Sequence, residues 1–431
     1  MSAPEPFPLP SGRLAGRLRV PGSKSVTNRA LVCAALAAGT SRLRFPLDSD
    51  DTRTLALLLG RLGARVETAE AAWTVEGPLA PDPAGEVVLD VGPAGTPARF
   101  LAALLPALPG RFVLTGSARM RERPMGPLVD ALRSLGAGID DLGRPGCLPV
   151  RIHGATLRGG GVSIRGDVSS QFLSALLLAS PLVPGGIDVE VTGRTASAAY
   201  VGLTRRTVEA FGGRPGAGYR PADFAVEGDD SAACFPIAGA LVSSGRVTLE
   251  GLARTSDQPD AVFRSWAEAA GGRLAWSPAA GGEELTVDAR HLTKPSSLSP
   301  LSVDVDAAPD AALPLAAVLA FAGGTSVLTG AARLREKESD RLAAALDLLG
   351  RAGAPAREAA GAGGVQLVID GRSGAPRAAA FAAHGDHRVA MAAAVLALAL
   401  PAGSTLDDPG AASKSWPRFF PEWAALVSPR A

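Results

Sequence analysis

The chain has 431 residues, too many for one ordinary hydrophobic core, which predicts two or three domains. Hydrophobic residues make up 47% of it, and 43 Lys and Arg nearly balance 42 Asp and Glu. With a net charge of only +1, the composition excludes a broad electrostatic surface for nucleic acid or an anionic membrane, so any anion site must be local.

The cysteines, histidines and apolar runs indicate a soluble cytoplasmic protein. Three cysteines without paired spacing argue against a disulfide framework, and four scattered histidines argue against a structural zinc site. The first segment, MSAPEPFPLPSGRLAG, has no apolar signal core, and the longest apolar runs, such as 389–400, are too short for a membrane span.

In chain order, six segments begin with a polar or glycine-containing cluster and continue as almost wholly apolar runs. They start at Ser23, Gly95, Ser169, Asp229, Pro309 and Asp386. A helix that is apolar on all sides must be buried on all sides, so each segment predicts a buried helix.

Amphipathic segments alternate with the apolar ones and end in glycine, which is typical of the position after a helix. Their final glycines are Gly63, Gly136, Gly212, Gly271 and Gly353. Short β-branched runs lie between the helices, at 86–91, 111–116, 188–193, 246–251 and 325–330. The recurring order predicts an α/β protein of about six similar units, divided into two domains of three. An open α/β sheet with a chance rhythm of helices is the alternative.

The polar residues at the helix starts are the first candidates for chemistry, because unpaired N–H groups and a partial positive charge there suit phosphate or carboxylate. In PGSKSVTNR (21–29), Lys24, Ser25 and Arg29 can contact an anion. The glycine spacing of a P-loop is absent, so nucleotide binding is not supported. Gly95 allows a ligand to approach the backbone closely.

Other segments of the first half add further donors. RMRERP (119–124) carries three arginines, of which Arg123 is the best candidate, and Pro124 marks the expected start of a helix. Solvated charge and simple capping are the competing interpretations. Neutral donors at the next two helix starts are Ser169, Ser170, Gln171, Ser197 and Tyr200.

The second half of the chain adds carboxylates. Asp310 starts an apolar helix, and Glu338 lies in LREKESDR beside Lys337 and Arg341. Two carboxylates among cations can divide acid and base roles, although capping Asp residues and surface ion pairs are commoner. More positive charge follows late in the chain, at Arg388 and Lys414.

Nine segments spread over nearly the whole chain carry a specific signature. They are PGSKSVTNRALVCAALA (21–37), LDSDD (47–51), AGTPAR (94–99), RMRERPMGPLVDAL (119–132), DVSSQFLSALL (167–177), VEGDDSA (226–232), PDAALPLA (309–316), LREKESDRL (334–342) and GDHRVAM (385–391). With these segments the chain resembles the 5-enolpyruvylshikimate-3-phosphate synthases, a family of enolpyruvyl transferases.

The resemblance implies an α/β fold of two similar domains, each of three βαβαββ units, with the active site in the cleft between them. It implies two crossovers of the chain, so that residues 23–228 form one domain and residues 1–22 with 229–431 form the other. No metal and no organic cofactor are implied. We expect a monomer that binds small-molecule substrates and neither nucleic acid nor a membrane.

The resemblance also implies a reaction. The 5-hydroxyl of 3-phosphoshikimate adds to C2 of phosphoenolpyruvate as C3 is protonated, then phosphate leaves and C3 loses a proton. Asp310 matches the acceptor of the hydroxyl proton, Glu338 matches the group that moves the proton at C3, and Lys24 could assist charge at the leaving phosphate. Positions matching contacts to 3-phosphoshikimate are Lys24, Ser25, Arg29, Ser169, Ser170, Gln171, Ser197, Tyr200, Asp310 and Lys337. Positions matching contacts to phosphoenolpyruvate are Lys24, Gly95, Arg123, Gln171, Arg341, Arg388 and Lys414.

Some residues depart from the family's pattern in ways that bear on the details of substrate contact. They are Pro93, Ala198, Ala199 and Arg333. Gly95 leaves room beside phosphoenolpyruvate, so the resemblance implies inhibition by glyphosate. Phe100, where Pro is common, leaves the degree of sensitivity open.

Two alternative functions stay open. The sister enolpyruvyl transferase that acts on UDP-N-acetylglucosamine shares the fold but has a loop cysteine in most members, whereas the loop RMRERPMG has none. A non-catalytic anion-binding protein would not need Asp310 and Glu338 among its cations, because carboxylates repel anionic ligands.

Overall fold

The computed structural model describes residues 5–165, 169–193, 198–279, 282–361, 364–373 and 375–429. The chain forms two compact units. We call Gly22–Glu227 the middle unit, and Met1–Pro21 with Gly228–Ala431 the terminal unit.

The helices of the middle unit are α1 (Lys24–Leu36), α2 (Asp50–Arg61), α3 (Gly95–Leu104), α4 (Ala118–Glu122), α5 (Gly126–Ser134), α6 (Ser170–Ala179) and α7 (Ala198–Ala210). Those of the terminal unit are α8 (Asp230–Ser243), α9 (Phe263–Ala269), α10 (Ala312–Leu319), α11 (Arg341–Ala352), α12 (His387–Ala399) and α13 (Phe419–Leu426). Short 3₁₀ helices include Pro259–Val262, Pro309–Ala311, Ala331–Glu336 and Pro409–Lys414. Among the helices described, none has the length and apolar character that crossing a bilayer requires.

The strands, in chain order, are β1 (Phe7–Pro8), β2 (Arg13–Arg19), β3 (Gly39–Arg44), β4 (Arg65–Thr68), β5 (Ala72–Gly77), β6 (Glu86–Asp90), β7 (Arg111–Thr115), β8 (Gly138–Asp141), β9 (Val150–His153), β10 (Gly160–Arg165), β11 (Ile187–Thr192), β12 (Asp223–Ala225), β13 (Arg246–Glu250), β14 (Arg273–Ala279), β15 (Gly282–Asp288), β16 (Ser302–Asp304), β17 (Thr325–Thr329), β18 (Ala356–Gly361), β19 (Gly364–Asp370), β20 (Ala380–Phe381), β21 (Thr405–Leu406) and β22 (Val427–Ser428). The predicted β-branched runs all form strands.

One strand order recurs in both units. A parallel pair is extended by two antiparallel strands in the sheets β12-β3-β5-β4 and β6-β7-β9-β8 of the middle unit. The terminal unit has the same order in β16-β17-β19-β18 and in β2-β13-β15-β14, which β22 extends. The remaining sheets, β10-β11 and β1-β21-β20, also contain a parallel pair.

The apolar helices form the centre of each unit, as their sequences predict. Helices α1, α3 and α6 pack against one another in the middle unit, and α8, α10 and α12 do so in the terminal unit. Every residue of α8 is buried, and so is nearly all of α12. Since such helices have no polar face to turn to water, packing them together is the arrangement that their composition allows.

The glycine stops behave as predicted, and one predicted helix start is wrong. All five glycines after the amphipathic helices have a positive φ, for example 103° at Gly63 and 83° at Gly353, a backbone conformation that other residues rarely adopt. Pro124 does not start a helix. It holds Arg123 in an extended conformation that ends α4, and α5 begins later, with Pro127 in its first turn.

Candidate active site

The start of α1 presents a lysine held by a carboxylate. Ser23 caps the helix by accepting a hydrogen bond from the amide of Val26, and Lys24 is the first helical residue. The Lys24 ammonium lies 3.3 Å from Asp51 Oδ2, and Asp51 is in the first turn of α2. The pair fixes the ammonium at a helix start, where the partial positive charge of the helix favours an anion.

Arg29, one turn further along α1, is buried among neutral acceptors. Its Nε donates to Thr204 Oγ1 at 2.7 Å, Nη2 donates to Ser174 Oγ at 2.8 Å and Nη1 donates to the Ser25 carbonyl at 2.7 Å. Its guanidinium carbon also lies 5.8 Å from the ring centroid of Tyr200. Burial lowers the pKa of Arg29 to about 10. Within the described part of the chain no carboxylate pairs with it, so its charge is left for a ligand to neutralise.

The start of α3 brings a glycine against two arginines. A Cβ built on Gly95 would lie 2.6 Å from Nη1 of Arg123 and 2.9 Å from Nη1 of Arg99. Arg99 is itself buried and donates to the carbonyls of Gly95 and Pro124. The bare Gly95 backbone therefore lies directly beside the guanidinium of Arg123.

The start of α6 supplies neutral polar groups close to α3. Ser169 caps the helix by accepting from the amide of Gln171, and Ser170 is buried. The amide side chain of Gln171 donates to Thr96 Oγ1 at 3.4 Å, which joins α6 to the α3 start. Ser197 lies outside the described residues.

In the terminal unit, one buried arginine holds three carboxylates. Arg341 is 1% exposed and begins α11. Its Nη1 lies 2.6 Å from Asp310 Oδ1, its Nη2 lies 2.8 Å from Glu338 Oε2, and its Nε lies 2.7 Å from Asp386 Oδ2. We call these four residues the Arg341 cluster.

Three further cations surround the Arg341 cluster. Arg388 Nη2 is 3.1 Å from Asp310 Oδ2, and Lys337 Nζ is 3.7 Å from Asp310 Oδ1. Lys414 Nζ is 3.6 Å from Glu338 Oε1. The predicted residues Asp310, Lys337, Glu338, Arg341, Arg388 and Lys414 are thus brought together although the sequence spreads them over more than a hundred positions.

These cations control the charge of the carboxylates. Burial opposes ionisation of Asp310, but Arg388, Lys337 and Arg341 outweigh it and hold its pKa well below the usual range. Asp386 is likewise buried, yet Arg341 lowers its pKa to about 2. Burial lowers the pKa of Lys337. The cluster therefore holds an ionised, fully buried Asp386 beside an ionised Asp310 that stays partly open to solvent, an arrangement suited to proton transfer.

The chain's relationship to known proteins agrees with this geometry. The sequence model of EPSP synthase (3-phosphoshikimate 1-carboxyvinyltransferase) matches residues 9–423. The chain belongs to the EPSP synthase family.

Relatives in the EPSP synthase family match over nearly their whole length. A 3-phosphoshikimate 1-carboxyvinyltransferase from Methanoculleus marisnigri is 40% identical over 424 residues, which cover 94% of each chain. One from Edwardsiella ictaluri is 37% identical over 439 residues, which cover 98% of each chain.

Solved structures give the fold. An EPSP synthase from Acinetobacter baumannii matches with a TM-score of 0.80 at 26% identity, covering 99% of this chain and 98% of that one. The enolpyruvyl transferase NikO from Streptomyces tendae, at 19% identity, matches with a TM-score of 0.77 over 98% of both chains and shares the fold. The predicted α/β fold of the enolpyruvyl transferases is confirmed.

Several residues of this EPSP synthase family site were missed by sequence reasoning. Asp51 and Asp386 lie inside the recognised segments LDSDD and GDHRVAM, but neither carboxylate is among the predicted site residues. Their signal was a carboxylate at a helix start, which is usually only a cap. Ser174 and Thr204, which hold Arg29, gave no signal because a hydroxyl in a helix looks the same whether it packs or binds.

Among the residues that depart from the family pattern, Arg333 lies next to Asp306. Arg333 donates a hydrogen bond to the carbonyl of Asp306 at 3.2 Å and lies 3.6 Å from the Asp306 carboxylate, so the charge of Arg333 is partly compensated.

The cysteines Cys33, Cys147 and Cys234 are all buried, and burial raises the pKa of Cys33 to about 12. Over the described ranges, no group of three or more His, Cys, Asp or Glu is arranged to hold a metal ion.

Proposed function

We propose that this chain transfers the enolpyruvyl group of phosphoenolpyruvate to the 5-hydroxyl of 3-phosphoshikimate and releases phosphate. The reaction is a step of the shikimate pathway towards chorismate and the aromatic amino acids. The observation that carries the proposal is the Arg341 cluster, in which Asp310 and Glu338 share one buried guanidinium in a chain of the EPSP synthase family.

Residues of the middle unit supply anion binding in this proposal. Arg29 with Ser25, Ser169, Ser170 and Tyr200 would contact 3-phosphoshikimate, Gly95 and Arg123 would contact phosphoenolpyruvate, and Lys24 and Gln171 would contact both. Arg29 supports this assignment because its buried charge is matched only by neutral acceptors over the described residues. Ser197 belongs to the same set by the family's pattern alone.

Residues of the terminal unit supply proton transfer. Asp310 accepts the proton of the 5-hydroxyl, and Glu338 moves the proton at C3. In the free protein the cations make Asp310 a weak base. When the phosphate and carboxylate groups of the substrates neutralise Arg341, Arg388, Lys337 and Lys414, the pKa of Asp310 rises and it becomes a better base. Substrate binding thereby increases the basicity of Asp310.

The remaining predictions complete the proposal. We propose that the two units are the two domains of the enzyme, that each contains three βαβαββ units, and that residues of both contact the same substrates in a cleft. We also predict that the protein is a cytoplasmic monomer that does not bind nucleic acid and is inhibited by glyphosate.

The test is phosphate release from phosphoenolpyruvate with 3-phosphoshikimate, with UDP-N-acetylglucosamine, or with no acceptor. We expect release only with 3-phosphoshikimate. Release that depends on UDP-N-acetylglucosamine would assign the sister activity, and binding of 3-phosphoshikimate without any release would assign a non-catalytic anion-binding protein.

A further inference from the structure

A fourth carboxylate is buried next to Asp310. Asp260 lies in the 3₁₀ helix Pro259–Val262 and is 2% exposed. This helix packs against the turn Pro309–Ala311, which carries Asp310, and against α8. The Oδ2 atom of Asp260 accepts a 2.6 Å hydrogen bond from Ser231 Oγ, whereas Oδ1 is buried and has no hydrogen-bond partner in the described segments.

The charged and titratable groups that face Asp260 come from the start of α8, the Pro309–Ala311 turn and α12, while α9, which also packs against this 3₁₀ helix, carries Arg264 paired with Asp230. Asp229 and Cys234 face it from the start of α8, Asp310 from the neighbouring turn, and Arg388 from α12. Arg388 already donates to Asp310 through Nη2, and its buried Nε has no hydrogen-bond partner in the part of the chain that is described. Arg388 is therefore the cation that the two carboxylates share.

Burial first, and then the negative charge of Asp310, raise the pKa of Asp260 to about 6 although Arg388 and the hydrogen bond from Ser231 oppose the rise. Asp260 is thus ionised above that pH and neutral below it. The coupling works in both directions, because each carboxylate disfavours the charged form of the other.

We propose that Asp260 is a positioning residue that acts through Arg388. In its ionised form it shares the charge of Arg388, and this keeps Asp310 basic enough to accept the hydroxyl proton. When Asp260 is neutral, Arg388 acts on Asp310 alone and lowers its proton affinity. The inference rests on the proposed function, since it concerns the base of that reaction.

The experiment compares kcat as a function of pH for the wild type, Asp260→Asn, Ser231→Ala and the surface control Asp288→Asn. In the wild type and the control we expect an acid limb, that is, a fall of kcat as the pH drops below about 6. Asp260→Asn removes this limb and lowers kcat above it by roughly threefold to tenfold, with the Kd of 3-phosphoshikimate unchanged. Ser231→Ala moves the limb to higher pH, because the hydrogen bond that stabilises the ionised carboxylate is lost.

An acid limb that persists in Asp260→Asn, whether kcat is normal or uniformly lower, would overturn the proposal, since a purely structural role lowers kcat equally at every pH. If Asp260→Asn fails to fold, Ser231→Ala decides, and an unmoved limb in that variant overturns the proposal.

A readout that needs no turnover separates this proposal from the proposed function. The carboxyl carbon of Asp260, assigned by NMR from the Asp260→Asn spectrum, should titrate near pH 6. A midpoint near the ordinary value of about 4 would overturn the inference even in an active enzyme. A wild type that titrates as expected but releases no phosphate would instead overturn the proposed function.

Discussion

Each of the two units buries an arginine among its own predicted site residues, and the two arginines have different partners. In the middle unit, Arg29 is held by two hydroxyls and a carbonyl. In the terminal unit, Arg341 is held by the carboxylates of Asp310, Glu338 and Asp386. Burial lowers the pKa of Arg29, whereas the carboxylates raise that of Arg341 above the ordinary value despite its burial.

The difference indicates a division of tasks. A buried cation with neutral partners retains an uncompensated charge, which favours an anionic ligand. A buried cation surrounded by carboxylates fixes and ionises them, which favours proton transfer. Changes at Arg29 should therefore weaken substrate binding, and changes to the carboxylates of the Arg341 cluster should slow turnover or unfold the protein.

The largest effect is expected for Asp310→Asn, which removes the base but keeps the size and polarity of the side chain. We expect kcat to fall about a thousandfold, as measured by phosphate release. The control Asp347→Asn changes a surface carboxylate that pairs with Arg351 and should keep normal activity. A fall of less than tenfold would show that another group accepts the proton.

A large loss of stability is expected for Asp386→Asn, because it leaves Arg341 with one buried partner fewer. Unfolding in urea should show a free energy lower by about 3 kcal/mol at neutral pH. The depressed pKa of about 2 means that the wild type has this stability above the ordinary pKa and loses it as the pH falls from about 4 towards 2. The variant should lack that pH dependence.

The matched control for that experiment is Asp288→Asn. The pKa of Asp288 is also lowered to about 2, but this carboxylate pairs with Arg290 at the surface, where water screens the interaction. We expect a loss of about 0.5 kcal/mol. Equal losses in the two variants would contradict the view that burial gives the Arg341 cluster its strength.

A selective effect on binding is expected for Arg29→Lys, because an ammonium cannot reach Thr204, Ser174 and an anion in the planar geometry of a guanidinium. Calorimetry should show the Kd of 3-phosphoshikimate raised by about thirtyfold. At saturating substrate, kcat should stay within about threefold of the wild type. As the control, Arg44→Lys at an exposed position should leave both Kd and kcat unchanged. A loss of kcat in Arg29→Lys without a change in Kd would contradict the division of tasks.

The smallest effect is expected for Gly95→Ala. The new methyl group would lie 2.6 Å from Arg123 Nη1, so the guanidinium must move. We expect the KM of phosphoenolpyruvate to rise about tenfold and inhibition by glyphosate to weaken at least as much. Gly60→Ala in α2, which has open space around it, is the control. An unchanged KM would show that Arg123 does not bind phosphoenolpyruvate.

The sequence predicts the features of the fold that depend on neighbouring residues, but not the contacts between residues that lie far apart in the chain. The buried helices and glycine stops follow from local patterns, because a wholly apolar helix must be buried and the positive φ after a helix, as at Gly353, favours glycine over other residues. The partners of Arg29 lie 145 and 175 residues away, and Asp386 lies 45 residues from Arg341. The helix starts identified the cations as candidates, but no periodicity records such pairings, and the roles of the cations came from the resemblance to a known family.

The role inferred for Asp260 could not be predicted from the sequence at all. In the sequence it is one acid in a proline-led helix start, PDAVF, and nothing there distinguishes it from a surface residue. Its chemistry depends on burial and on Ser231, Asp310 and Arg388, which three other segments supply.

Calorimetric titration of 3-phosphoshikimate into the Asp310→Asn protein tests the division of tasks most directly. We predict a Kd within about threefold of the wild-type value, although turnover is lost, since the charges that bind the substrate remain in place. A Kd that rises by the same large factor as kcat falls would contradict the account, because binding and proton transfer would then depend on the same residue.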